Sequence, residues 1–207
     1  MVFVIANFIF DWSGTLSDDF DMVWRATADV IRTLDGGHLL SEEEYREHFE
    51  LPYMNFYRNY GLSCTKDRVD ALFFQAVEHN GIFPTPLPHA RELLEGLRAA
   101  GKKTYLFSAH PVHLVEREVA AFGFQGLFDG ICAGVENKVV SLRGFVDQNG
   151  LDPNQTAYVG DLVHDVEAAG AASLQSVGVL SRYQSREKME AAKPDVLAQG
   201  LPELLSL

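Results

Sequence analysis

The stretch Phe8-Ile9-Phe10-Asp11-Trp12-Ser13-Gly14-Thr15-Leu16 decides the fold. From Val2 to Phe10 the chain is almost continuously apolar and rich in β-branched and aromatic side chains. That is the composition of a strand buried on both faces, as in a parallel sheet. The run ends in a carboxylate, Asp11, and Gly14-Thr15 breaks it. Ligands of open parallel sheets bind outside the carboxyl ends of the strands, where the strand order reverses. A buried strand that delivers an Asp to that place is a site geometry. An Asp after a strand is equally a turn residue or a helix cap, so the rest of the chain has to decide.

Downstream of Leu16 the pattern becomes helical. Phe20, Val23, Trp24, Ala28, Ile31 and Leu34 recur at helical spacing, and Asp35-Gly36-Gly37 ends the run. Ser41-Glu42-Glu43-Glu44 reads as a capping box opening a second helix to about Phe49. A third helix is expected over Pro52–Tyr60, and a fourth from Thr65 to Asn80-Gly81. No strand pattern occurs between Leu16 and Phe83, so an all-helical insertion follows the first strand. Pro84, Pro86 and Pro88 make one crossing and Ser17–Asp19 the other. Two short crossings of this kind predict a hinge.

From Pro88 onward helices and strands alternate. The spacing predicts helix Pro88–Ala100, strand Lys103–Phe107, helix Pro111–Phe122, strand Gly130–Ala133, helix Lys138–Gln148 and strand Thr156–Val159. A short helix from Val163 to Ala169 stopping at Gly170, strand Leu174–Val177, helix Ser185–Ala192, strand Asp195–Ala198 and helix Leu201–Leu205 complete the chain. Such a series predicts an α/β fold, a parallel sheet wrapped by helices on both faces.

Four places on or beside strand ends carry polar residues in chain order: Asp11 with Gly14-Thr15, Ser108-Ala109-His110, Lys138, and Gly160-Asp161-Leu162-Val163-His164-Asp165. Phosphoryl transfer needs a nucleophile, a divalent cation, donors for the phosphoryl oxygens and exclusion of water. Asp11-Trp12-Ser13-Gly14-Thr15-Leu16 resembles the first motif of the haloacid dehalogenase-like (HAD) hydrolases, whose phosphatases read Asp-x-Asp-Gly-Thr-Leu/Val. Pro88–Ser108 and Val159–Val179 resemble the approaches to the family's second and fourth motifs. The tail through Pro194-Asp195 is similar to its phosphoglycolate-phosphatase-like branch, which carries a helical cap after the first strand.

The resemblance implies a Rossmann-like core of residues 1–17 and 84–207, with a helical cap over 18–83. It implies Asp11 as the nucleophile that forms an aspartyl-phosphate. It implies Mg²⁺ held by Asp11, Asp161 and the Ser13 backbone carbonyl, with Asp165 holding the ion's waters. Ser108, the Ala109 backbone N–H at a helix start and Thr15 are then substrate-binding, and Lys138 neutralises charge between the phosphate and Asp11.

The departure is Ser13, where family phosphatases carry the Asp that acts as general acid and base. Such a group contributes roughly 10²–10⁴-fold, and a Ser hydroxyl is too weak an acid without help. A slow phosphatase, one restricted to good leaving groups, and one with a substitute acid all remain open. His110 and His164 are candidates for the last. Two further readings also stay open: a weakly active or non-catalytic relative that binds a phosphorylated ligand, and a phosphonate C–P hydrolase using Lys66. In the cap, Glu50 is set either toward the site or toward solvent, and Tyr53, Phe56, Tyr57 and Tyr60 read as cap core.

Length and composition fit this picture. With 207 residues, 47% hydrophobic and 22% charged, the chain can hold a core domain plus an insertion. A net charge of −12 argues against nucleic acid and anionic membranes as partners. It permits a small phosphorylated substrate, because a metal and local donors reverse the field inside a pocket. Cys64 and Cys132 have no metal spacing and read as reduced thiols. The apolar N-terminus lacks leader features and is too short to span a bilayer, so a cytoplasmic protein is expected; a monomer and a homodimer both stay open.

Overall fold

The computed structural model describes residues 5–207; Val2–Val4 of the expected first strand lie outside them. In chain order the elements begin with strands β1 (Asn7–Phe10) and β2 (Ser17–Asp18). Helices α1 (Phe20–Leu34), α2 (Glu42–His48), α3 (Tyr53–Asn59) and α4 (Lys66–Asn80) follow. Then come β3 (Thr85–Pro86), α5 (Ala90–Ala99), β4 (Lys103–Phe107), α6 (Val112–Ala121), β5 (Gly130–Cys132) and α7 (Lys138–Gln148). The chain ends with β6 (Thr156–Gly160), α8 (Val163–Ala172), β7 (Gln175–Val179), α9 (Arg186–Ala192) and β8 (Val196–Ala198).

Two compact units result. One is Asp19–Pro84; the other joins the described residues up to Asp18 with Thr85–Leu207. The second unit is built on a six-stranded sheet in the order β5-β4-β1-β6-β7-β8, parallel at every pairing. This is the α/β, Rossmann-like architecture expected. The chain moves outward from β1 through β4 to β5, then returns to β6 on the other side of β1. The strand order therefore reverses at β1, and Asp11 follows its last residue.

Successive side chains of a strand face opposite sides of the sheet. Phe8 and Phe10 pack with Leu106, Val159 and Val177 against Leu93 and Leu94 of α5 and Val115 of α6. Ile9 packs on the other face with Tyr105, Phe107 and Tyr158 against Leu142 and Val146 of α7 and Ala168 of α8. β1 is thus covered on both sides, which explains its unbroken apolar run.

Two sequence expectations are corrected. Gly170 does not stop α8, which continues to Ala172 and closes on Ser173 in the left-handed region; one helical Gly costs only about 1 kcal/mol. The last helix, Leu201–Ser206, is 3₁₀. The segments flanking the helical unit are also more ordered than a bare linker. β2 and β3 pair antiparallel, Ser17 with Pro86 and Asp18 with Thr85.

The helical unit caps its helices as the sequence suggests: the Ser41 hydroxyl accepts from Glu44 N–H at 3.1 Å and Thr65 from Arg68 N–H at 3.4 Å. Phe56 and Tyr57 are buried. Tyr53 and Tyr60 are only partly so and donate to Asp70 and Glu44. Glu50 is exposed and accepts from Asn59 at 3.0 Å. Among the described residues no helix is long and apolar enough to cross a membrane.

Candidate active site

The turn after β1 is set by one carbonyl. Trp12 O accepts from the N–H groups of Thr15, Leu16 and Ser17 at 3.1, 2.9 and 3.0 Å. Asp11 N–H donates to Val159 O at 2.8 Å, so Asp11 still lies in the line of the sheet. Gly14 has φ +70°, and a Cβ there would fall 2.2 Å from Asp161 Oδ2. Both facts require glycine.

Asp11, Asp161 and Asp165 are buried, and their carboxylates offer oxygens within 4.8 Å of one another. They come from the ends of β1 and β6 and the first turn of α8. Lys138, the first residue of α7, is 1% exposed. Its Nζ is 2.7 Å from Asp11 Oδ2 and 2.7 Å from Asp165 Oδ1. Asn137 caps that helix start by accepting from Val140 N–H. Ser108, just past β4, is buried, and its hydroxyl helps to hold the Asp11 carboxyl down. The same oxygen accepts from His110 N–H at 3.2 Å.

One ammonium among three carboxylates leaves the cluster short of positive charge. Burial pushes the Asp11 carboxyl up; Lys138 pulls it down without cancelling the rise. Asp161 lies well above the usual carboxylate range through burial, then through Asp165 and Asp11. Burial opposes the charge on Lys138, but Asp11 and Asp165 outweigh it and raise its pKa, so it stays an ammonium. Asp11 Oδ1 is buried and has no hydrogen-bond partner. An orphaned carboxylate oxygen inside an acidic, all-oxygen donor set fits a hard divalent cation.

The remaining expected residues divide. The Thr15 hydroxyl donates to Asp161 Oδ1 at 3.2 Å. Asp165 takes three donors: Oδ1 accepts from Lys138 and from Tyr158, the latter at 3.3 Å, and Oδ2 from Leu162 N–H at 3.0 Å. Ala109 does not start a helix; α6 begins three residues later, at Val112. His164 is buried, its Nδ1 3.8 Å from Glu167, and burial with help from Lys138 pushes it down to about 4. It is neutral at pH 7. His110 instead meets Ser13, Nδ1 to Oγ at 3.2 Å.

Sequence reasoning missed Tyr158, Ser181 and Glu118. Ser181, after β7, donates to Asp161 Oδ2 at 2.5 Å. Glu118 is completely buried on α6. Burial pushes its carboxyl up, but His110, Trp12 and Ser17 together hold it below the usual range. Its signal was present: Glu118 falls on the stripe of α6 that carries Leu114, Val115 and Val119, where an acid needs partners.

The family model described as haloacid dehalogenase-like hydrolase matches residues 8–179. Phosphoglycolate phosphatase of Escherichia coli (strain K12) is 30% identical over 138 residues, 64% of this chain and 54% of that protein. That of Synechococcus elongatus is 29% identical over 203 residues, 95% of this chain and 94% of that protein. The chain thus spans about half the length, 54%, of the first curated relatives it matches. Among solved structures, a predicted phosphatase from Clostridium acetobutylicum superposes with a TM-score of 0.86 at 17% identity, over 98% of this chain and 97% of that one. This last likeness concerns the fold alone.

Proposed function

The chain belongs to the haloacid dehalogenase-like hydrolases, and from that premise we propose that it is a Mg²⁺-dependent phosphatase that hydrolyses a small phosphate ester through a phospho-enzyme on Asp11. The observation that carries this reading is the Asp11 carboxylate. One oxygen is fixed on Lys138, and the other is buried and unpartnered beside Asp161. A turn cap would have its oxygens on backbone N–H groups instead.

Asp11 attacks phosphorus, and the bond from phosphorus to the leaving oxygen breaks. Water then attacks the acyl phosphate, releasing inorganic phosphate and restoring Asp11. Lys138 keeps Asp11 ionised and neutralises the transferring group, and the Ser108 hydroxyl donates to a phosphoryl oxygen. Asp11, Asp161 and the Ser13 carbonyl are the residues that would hold Mg²⁺, with Asp165 fixing Lys138 and the loop at Leu162. When bound, the ion supplies charge neutralisation for the phosphoryl oxygens.

Relatives named phosphoglycolate phosphatase make small anionic phosphate esters the first substrates to try. C–P hydrolysis through Lys66 is disfavoured, because the hydrogen bond to Asp70 at 2.7 Å, then that to Tyr53, raises its pKa. A Schiff-base lysine needs the opposite. The test is Mg²⁺-dependent release of inorganic phosphate from a panel of monoesters, with Asp11→Asn as control. Turnover in the wild type and none in Asp11→Asn is expected. An inert wild type that still binds Mg²⁺ and phosphate would replace catalysis with ligand binding.

A further inference from the structure

Hydrolysis of an alkyl phosphate needs an acid at the departing oxygen and a base for the incoming water. We propose that Ser13, His110 and Glu118 form a proton relay for both steps, with the Ser13 hydroxyl touching the reacting oxygen and His110 and Glu118 as the positioning residues behind it. This rests on the phosphatase reading above.

The relay is continuous. Ser13 Oγ is 3.2 Å from His110 Nδ1, and His110 Nε2 is 3.3 Å from Glu118 Oε1. Glu118 Oε2 accepts from Trp12 Nε1 at 2.6 Å and from Ser17 Oγ at 3.1 Å. Trp12 and Ser17 belong to the turn that carries Ser13, so the carboxylate behind the imidazole is fastened to the loop in front of it. Trp12 is itself held by stacking on Phe122, ring centroids 5.6 Å apart. β4, which leads to His110, is the neighbour of β1, which leads to Ser13. The two therefore leave the same end of the sheet, as does Asp11, two residues before Ser13.

A carboxylate at Nε2 holds a hydrogen on that nitrogen and turns Nδ1 toward the serine, the logic by which an acid orients a catalytic imidazole; the relay starts with His110 as the imidazolium paired with Glu118, carrying a second hydrogen on Nδ1. In the first step the bond from phosphorus to the leaving oxygen breaks. That oxygen takes the Ser13 hydrogen while Ser13 Oγ takes the one on Nδ1. In the second step water attacks the phospho-Asp11 phosphorus and passes a proton to Ser13 Oγ. Ser13 returns its own to Nδ1, and the bond from phosphorus to Asp11 breaks. The proton lent to the alcohol is recovered from water, so the cycle closes.

The test measures alcohol release in a single turnover with Mg²⁺, using p-nitrophenyl phosphate, whose leaving group needs no proton, and glycerol 1-phosphate, whose leaving group does. His110→Ala and Glu118→Gln should slow glycerol release by about 10²–10⁴-fold and nitrophenolate release by less than about 10-fold. Ser13→Asp supplies an acid directly, so adding His110→Ala to it should cost less than about 10-fold on glycerol 1-phosphate. Glu118→Gln keeps the side-chain volume and carries the test if His110→Ala does not fold. Equal slowing on both esters, or an undiminished His110→Ala effect in the Ser13→Asp background, overturns the relay and leaves the phosphatase reading intact. Nitrophenolate release that survives Asp11→Asn, or a wild type inert on both esters, overturns the phosphatase reading and the relay with it.

Discussion

Lys138→Met removes the ammonium while keeping most of the side chain's volume. Its two ion pairs are both 2.7 Å long, and the three side chains are 1%, 4% and 2% exposed. Taking one partner from a buried pair costs about 3–5 kcal/mol, because the other charge stays behind. Here two carboxylates stay behind, in a cluster already short of positive charge. In a protein of this size 1 kcal/mol corresponds to about 2–4 °C in Tm, so metal-free Lys138→Met should melt roughly 6–20 °C below wild type. Part of the loss should return on adding Mg²⁺. The Lys138→Met/Asp165→Asn double variant should melt above the single one, since it leaves one stranded charge fewer. Thermal melts in EDTA and in Mg²⁺ report all three values. If Lys138→Met melted within about 2 °C of wild type in EDTA, the buried charge balance described above would be wrong.

Two other outcomes follow from the same cluster. Gly14→Ala combines a left-handed backbone, costing about 1–2 kcal/mol, with a Cβ 2.2 Å from Asp161 Oδ2. It should lower Tm and weaken Mg²⁺ binding by at least about 10-fold in calorimetric titration, and unchanged affinity would contradict the geometry. Asp11 and Asp161 have folded-state pKa values raised above the ordinary 3.8. Their contribution to stability is complete below that pH and is lost as pH rises through the folded values. Mg²⁺ favours the ionised carboxylates, so the Tm gap between Mg²⁺ and EDTA should widen as pH rises through those raised folded values; a gap constant with pH counts against the assignment.

The sheet was legible because its signals are local. β4 and α7 have the bounds that their apolar runs and flanking glycines indicate. Asp11, Ser108 and Asp161 could be picked out because each follows a strand that reads clearly. The contacts that organise them could not. Trp12 and Glu118 meet across 106 residues of sequence, and Ser181 reaches Asp161 across 20. Nothing in one sequence says which hydroxyl or carboxylate the folded chain brings back. The hydrogen bond from Thr15 to Asp161 is of the same kind, spanning 146 residues of sequence.

The pairing of β2 with β3 bears on how this architecture diversifies. Adjacent strands lie about 4.8 Å apart, so the insertion of Asp19–Pro84 leaves and re-enters the sheet unit at nearly one point. A loop whose ends already meet adds little closure entropy when lengthened, about 0.6 kcal/mol per doubling. The sheet unit is therefore nearly indifferent to the size of what it carries there. An ancestor could exchange one helical insert for another at this ribbon while the sheet and the carboxylates at its strand ends stayed untouched.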